Sequence, residues 1–277
     1  MSISESEASL NHFSTPMKPS TSIEQRWILM KCFIVLPCFN EEENIKPLVY
    51  SINEAFKDAI PYKIIAVNDG SRDGTGRVLK DLSFDYPLEV VEHSVNLGLG
   101  AALRTGLTVA AEESSDRDFV VTMDSDNTHD PKHVLEMLNA ASQADIIVGS
   151  RYVKGGKQLN VPLRRIVLSK TINLLVKKLF RLPSKDNTSG FRCFRASLLK
   201  RLCVTFEMSI IESKGFVASL ELLVKAVDSG GTVAEVPILL DYGKKGGASK
   251  MRLFPTVIGY LNLFFKYRKL NHSKSLV

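Results

Sequence analysis

The sequence predicts an α/β fold, an open and mostly parallel sheet wound with helices. Two observations carry that expectation. Short apolar runs at residues 32–36, 63–67, 88–91, 119–123 and 145–149 alternate with segments of helical period. Four of these runs lead directly into polar, chemistry-bearing residues, as befits a sheet that binds ligands beyond its strands' carboxyl ends.

Taken in order, residues 1–26 are rich in Ser, Thr, Glu and Asn and poor in large apolar side chains, so a flexible tail is expected. The run 32–36, bounded by Pro37, reads as a buried parallel strand. Asn40 and the acidic residues Glu41, Glu42 and Glu43 open a helix with Ile45, Leu48, Val49, Ile52 and Phe56 on one face, and negative first-turn residues favour its dipole. The run 63–67 ends in Asn68-Asp69-Gly70-Ser71 and passes into a helix over 75–82. A third strand at 88–91 is followed by Asn96-Leu97-Gly98-Leu99-Gly100 and a helix over 101–111. The fourth run, 119–123, precedes a helix over 131–141, and the fifth, 145–149, ends at Ser150-Arg151.

The second half has a different texture. Ile172, Leu175, Val176 and Leu179 give one apolar face amid Arg164, Arg165, Lys170, Lys177, Lys178 and Arg181. After Pro255, Val257, Ile258, Leu261, Phe264 and Phe265 run at helical spacing beside Lys266, Arg268 and Lys269. Basic amphipathic segments of this type either pack on a core or lie in a membrane interface, and two of them together favour the membrane.

Composition narrows the class. A chain of 277 residues with 44% apolar and 24% charged residues is neither disordered nor fibrous, and its length suits one large α/β domain. The net charge of +6 suits phosphate-bearing ligands, nucleic acid or anionic membranes, with charge distribution left to decide. Cys32, Cys38, Cys193 and Cys203 have neither zinc-site spacing nor the density of a disulfide scaffold, which points to a reducing compartment. With no apolar leader and no run of about 18 apolar residues, any membrane contact is expected to be peripheral.

The richest chemistry lies in Asp124-Ser125-Asp126, directly after the fourth run. On an extended backbone the two carboxylates project to the same side and suit one hard divalent cation, Mg²⁺ or Mn²⁺. They could instead merely end a strand and cap the next helix, but Asp130-Pro131 already has the composition of that cap. Gly98-Leu99-Gly100 hints at a dinucleotide fingerprint, yet Leu103 stands where its third small residue belongs, so a Rossmann dehydrogenase is disfavoured.

Seven motifs then fall in register: Pro37 to Asn44, Asn68 to Thr75, Asn96 to Ala101, Asp124-Ser125-Asp126, Gly149-Ser150-Arg151-Tyr152, Asp186 to Arg192, and Val236-Pro237-Ile238 with Gly247-Ala248-Ser249-Lys250. Over about residues 31 to 265 the chain resembles the family 2 inverting glycosyltransferases of GT-A fold, and within them the dolichol- or polyprenyl-phosphate mannose or glucose synthases. The resemblance implies a GT-A catalytic domain at 27–250 followed by a basic amphipathic segment at 251–277. It also implies a hexose moved from a GDP- or UDP-sugar to a polyprenyl phosphate, with Mg²⁺ or Mn²⁺ as cofactor, at the cytoplasmic face of a membrane. No nucleic acid is then involved, and a membrane-protein partner could supply the anchor that some relatives carry as spanning helices.

By the same resemblance Pro37, Phe39 and Glu41 line a nucleoside pocket and Asp69 reads the base edge. Asp124, Asp126 and Thr128 form the metal site, Thr128 standing where relatives place a third ligand. Ser125, Arg151, Lys244 and Lys250 complete the donor contacts, and residues 243–247 form a lid over the diphosphate. Arg165 and Ser169 receive the lipid phosphate. Asp126, Arg151 and Asp186 are the candidate catalytic residues. A phosphate monoester needs no strong base, whereas a hydroxyl acceptor does; Asp186 is the candidate for that task. Two alternatives stay open: transfer to a hydroxyl of a lipid, glycan or small molecule, and a decayed nucleotide-binding module, for which Asn68, Thr128 and Lys244 are the departures from pattern.

Overall fold

The structure, a computed structural model, describes residues 30–244, 246 and 253–274, so the expected tail lies outside the described residues. The five apolar runs form β1 (Cys32–Cys38), β2 (Tyr62–Asp69), β3 (Leu88–His93), β4 (Phe119–Thr122) and β5 (Ile146–Ser150). They alternate with α1 (Glu42–Phe56), α2 (Thr75–Leu82), α3 (Leu99–Glu113) and α4 (Lys132–Ala140). Then follow β6 (Lys157–Leu159), α5 (Leu163–Phe180), β7 (Arg192–Arg195), α6 (Ala196–Phe206), α7 (Val217–Asp228), β8 (Val233–Pro237), β9 (Leu239–Asp241) and α8 (Leu253–Lys274).

A seven-stranded sheet runs in the order β3-β2-β1-β4-β7-β5-β8. Only β7 is antiparallel to its neighbours, β4 and β5, within this sheet. Because β7 is reversed, the segment that enters it, residues 186–190, reaches the same edge as the carboxyl ends of β1, β2, β4 and β5. Side chains alternate across the sheet. Ile34, Leu36 and Ile64 join α1 in one core, while Phe33, Val35, Ile65 and Val120 join α3, α6 and α7 in the other. Burial on both faces explains why these strands read as continuous apolar runs.

The cap expected before α4 forms: the Asp130 carboxylate accepts the Lys132 amide at 3.0 Å, with Pro131 between.

The two basic helices depart from the expected faces. In α5 the protein side is made by Ile172, Asn173 and Val176, whereas Leu175 is 46% exposed and sits near Leu174 on the outer side. In α8 the packed residues are Tyr260, Leu263 and Tyr267, with Phe180 of α5 edge-on to Phe264 and Tyr267. Of the stripe read from the sequence, Ile258, Leu261 and Phe265 face outward, while Phe264 meets Phe180. Each helix is therefore apolar on two sides, which a single apolar stripe cannot describe.

The glycines at the start of α3 have a packing cause. Gly98 takes a positive φ of 91°, and a Cβ on Gly100 would lie 1.7 Å from the Ser213 carbonyl oxygen. The backbone of residues 213–214 crosses the helix terminus, and the Gly100 amide donates to the Lys214 carbonyl at 3.3 Å. Gly100→Ala is expected to cost on the order of 2 kcal/mol or more and to lower Tm by about 5 °C or more, read by thermal unfolding.

Candidate active site

A cavity of about 1000 Å³ opens at the sheet edge where the chemical clusters converge. It brings together Pro37, Phe39, Glu41, Asp69, Asp124, Ser125, Asp126, Thr128, Arg151, Arg165 and Ser169. Asp186 and Lys244 do not line it, and Lys250 lies outside the described residues.

Asp124 and Asp126 leave the end of β4 beside β1, in register with the Pro37 turn. Asp126 Oδ1 accepts both the Thr128 hydroxyl, at 2.6 Å, and the Thr128 amide, at 3.2 Å. Thr128 thus orients Asp126 by hydrogen bonding, beside the ligand role expected for it. Ser125 points the other way, as alternation requires. Its hydroxyl donates to the Pro37 carbonyl at 2.9 Å and lies 3.3 Å from Cys38 Sγ. The Ser125 hydroxyl thus ties the carboxylate turn to the turn after β1, at the cavity wall where a donor contact was expected. Two carboxylates lining one cavity offer oxygen donors that suit a hard divalent cation, although among the described residues no third His, Cys, Asp or Glu joins them in a metal-holding group. Other coordination positions would fall to water and phosphate oxygens.

Asp69 is nearly buried, and its carboxylate is already engaged. Oδ1 meets His93 Nδ1 at 2.7 Å and the Leu97 amide at 2.9 Å, and Oδ2 accepts the Gly98 amide at 2.8 Å. With three of its roughly four acceptor positions taken, Asp69 chiefly holds the 96–98 loop and has little capacity for a base edge. His93, which in turn meets Thr105 at 3.0 Å, went unread in the sequence.

Glu41 accepts from Asn44 Nδ2 at 2.6 Å. Asn44 also pairs with Gly246, accepting its amide at 3.1 Å and donating to its carbonyl at 3.3 Å. The expected lid therefore touches the nucleoside side through Gly246. Lys244 sits in an adjoining cleft with Asn44, Asn127 and Asp130, outside the main cavity, so the donor role expected of it is not met here.

Arg151 and Asp186 form the most tightly tied pair. Arg151 Nε donates to Asp186 Oδ2 at 2.7 Å, Nη2 to Oδ1 at 2.6 Å, and the Arg151 amide to Oδ2 at 3.0 Å. Burial pulls the Arg151 pKa down, but the adjacent Asp186 charge reverses this and leaves it raised. Nη2 also reaches Thr188 Oγ1 at 3.0 Å, which leaves Nη1 for a ligand. Asp186 is 0% exposed, so it is not placed to touch a substrate; its contact is with Arg151.

Arg165 and Ser169 stand one turn apart on α5 and both face the cavity, as their spacing implies. Arg165 stacks over Tyr242 at 5.8 Å, and Ser169 receives the Tyr152 hydroxyl at 2.8 Å. Asn173, a further turn on, accepts the amides of Asn187 and Thr188 and donates to Thr188 Oγ1. The 165, 169, 173 spacing was a legible signal for Asn173, hidden by the apolar residues around it. The same cavity is also lined by the apolar side chains of Val161, Leu168, Ile172, Phe216 and Leu263.

The glycosyl transferase family 2 profile matches residues 33–203. Polyprenol monophosphomannose synthase of Mycolicibacterium smegmatis is 34% identical over 224 residues, 80% of this chain and 81% of that protein. Undecaprenyl-phosphate mannosyltransferase of Micrococcus luteus is 31% identical over 80% of this chain and 88% of its own. Dolichol-phosphate mannosyltransferase of Pyrococcus furiosus is 33% identical over 87% of this chain, which spans 64% of that relative's length. Glucosyl-3-phosphoglycerate synthase of Mycobacterium tuberculosis, solved with Mn²⁺ and UDP, superposes with a TM-score of 0.60 over 87% of this chain and 79% of its own. At 20% identity that likeness speaks for the fold, which is of the GT-A kind. With the sheet, the carboxylate turn and these relatives in agreement, the chain belongs to glycosyl transferase family 2.

Proposed function

We propose that this glycosyltransferase inverts the anomeric centre of a hexose as it moves it from a GDP- or UDP-sugar to a polyprenyl phosphate on a membrane surface. One observation carries the reading: a single cavity is lined by Asp124, Asp126 and Arg151 and also by Arg165 and Ser169, which share a helix with the apolar lining residues Leu168 and Ile172. A lipid phosphate needs that combination. The names of the relatives support it.

Pro37, Phe39 and Glu41 bind the nucleoside, and Asp69 shapes the loop beside it. Asp124 and Asp126 would hold Mg²⁺ or Mn²⁺ against the diphosphate, Thr128 orienting Asp126. When bound, the cation neutralises charge on the departing diphosphate. Arg151 Nη1 and the Arg165 guanidinium hold the acceptor phosphate, oriented for in-line attack on the anomeric carbon. That phosphate carries its own negative charge near pH 7, so no side chain need take a proton from it. The burial of Asp186 against Arg151 favours this acceptor over a hydroxyl, because the candidate base is committed elsewhere.

The outer sides of α5 and α8 suit peripheral contact with a membrane. Leu163, Val167 and Leu174 are exposed on α5 alongside Arg164 and Lys170, and Ile258, Leu261 and Phe265 on α8. No helix among the described residues is long and apolar enough to cross a bilayer. We place the enzyme on the cytoplasmic face, where a membrane protein could assist its anchoring.

A panel of GDP- and UDP-hexoses offered with polyprenyl phosphate and Mg²⁺, followed by product identification, tests the reading. The expected product is a glycosyl polyprenyl phosphate of inverted anomeric configuration. Faster transfer to a hydroxyl acceptor would overturn it. Arg165→Ala is expected to raise the acceptor KM about tenfold or more with the donor KM within about twofold, since one charge-assisted phosphate contact is lost. Equal loss at both substrates, in steady-state kinetics, would remove Arg165 from the acceptor site.

A further inference from the structure

Helix α7 buries an ion pair, with the half-exposed Glu212 carboxylate 3.6 Å from its lysine. Glu221 is 0% exposed and Lys225 4%, with Lys225 Nζ 2.7 Å from Glu221 Oε1. A buried ion pair contributes little net stability compared with apolar residues of the same size. Its partners indicate another task. Glu221 Oε2 accepts the Glu212 amide at 3.0 Å and the Ser213 amide at 2.8 Å. Lys225 donates to the carbonyls of Ser209 and Ile210. The pair therefore satisfies four backbone groups of one irregular segment, which has no ladder of its own to do so.

That segment forms part of the cavity wall through Glu212, Ser213, Lys214 and Gly215. On one side its carbonyls at Ser213 and Lys214 press on Gly100 and Gly98, at the loop whose amides Asp69 holds. On the other, the Glu212 carboxylate pairs with Lys266 of α8, which lines the same cavity with Tyr260 and Leu263. The loop at Gly98 and helix α8 are thus joined through one stretch of backbone.

We propose that Glu221 and Lys225 are positioning residues for transfer: their buried ion pair fixes residues 209–215, which set the donor loop and α8 relative to each other. The inference rests on the acceptor reading above for the identity of the second substrate. It accounts for the charges in a core position and for the glycines at 98 and 100, which make room for the segment.

The double variant Glu221→Leu with Lys225→Met removes the anchor while keeping the core filled. Its Tm is expected to fall by less than that of Lys225→Met alone, since no buried charge is stranded although four backbone groups lose their side-chain partners. Hydrogen exchange of the peptide over residues 209–215 should rise about tenfold or more as its amides lose their acceptor. The Kd for GDP or UDP with Mg²⁺ should rise about threefold or more, and the polyprenyl phosphate KM about tenfold with a fall in kcat. Lys225→Met alone, which strands a buried carboxylate, should fare worse in both Tm and kinetics. If the double variant fails to fold, Glu221→Gln is measured for the same exchange, affinity and kinetics, with smaller changes in the same directions expected. A fall in Tm with native Kd, KM and kcat in the folded fraction would overturn the proposal, leaving the pair purely structural. Failure of the native enzyme to glycosylate any polyprenyl phosphate would sink the acceptor reading alone. Exchange and nucleotide affinity would then decide, and a Kd within about twofold of native would overturn the positioning role.

Discussion

Asp126→Ala is expected to lower sugar transfer by about three orders of magnitude or more while the protein stays folded, because it removes charge where the leaving group departs. Two carboxylates share the polar end of the cavity with the expected site of a diphosphate. Without a cation they would oppose it: like charges about 4 Å apart repel by roughly 4 kcal/mol at the dielectric typical of protein surfaces. The arrangement is useful only when a cation converts that repulsion to attraction, so loss of one carboxylate should cost both affinity and rate. Titration with Mn²⁺ in the presence of GDP or UDP, followed by electron paramagnetic resonance, reads the binding loss independently of turnover. Thr128→Val separates the partners further. It removes a hydrogen bond to Asp126 and no charge, so about a tenfold loss is expected, in proportion to one hydrogen bond to a charged group. Metal-dependent turnover in Asp126→Ala within tenfold of native would sink the assignment of this turn.

The residues themselves explain which of these features could be read ahead of the structure. β1, β2, β4 and β5 are buried on both faces, so their apolar runs announce themselves, and the chemical residues follow at their ends. β7 is another matter. Its sequence is Arg192-Cys193-Phe194-Arg195, four residues with an arginine at each end, and no periodicity marks it. Arg192 is buried, its guanidinium donating to the carbonyls of Ser219 and Asn187, and the first of these lies 27 residues along the chain. Reversal of this one strand brings Asp186 to the active edge, yet sequence spacing could not tell a buried partner of Arg151 from a solvent-facing base. The glycines at 98 and 100 were visible as a motif, but their cause, the backbone of residues 213–214 lying across them, is a tertiary contact over a hundred residues away. In α8 the sequence showed the outward apolar stripe, while the packing by Tyr260, Leu263 and Tyr267 went unread because two of these carry a polar hydroxyl.

The Arg151–Asp186 pair yields the second large effect, and it separates positioning from proton transfer. Asp186→Ala should destabilise the protein by about 3 kcal/mol or more and lower transfer at least about a hundredfold, because a largely buried guanidinium loses both its counter-charge and the oxygens that orient it. The Arg151 amide loses its acceptor in the same step. Asp186→Asn retains the shape and one acceptor oxygen, so Arg151 Nε or its amide can still be held. A positioning carboxylate predicts that this variant keeps activity within about tenfold of native, with an unchanged pH profile of kcat/KM. A general base predicts the opposite, since an amide takes no proton: Asn would be as inactive as Ala, and the acid limb of the profile would vanish. Arg151→Lys completes the set. It keeps the charge but loses the fork that spans both Asp186 oxygens, so it should resemble Asp186→Ala in rate. An inactive Asp186→Asn beside an active Arg151→Lys would reverse the roles assigned to the pair and return the hydroxyl acceptor to first place.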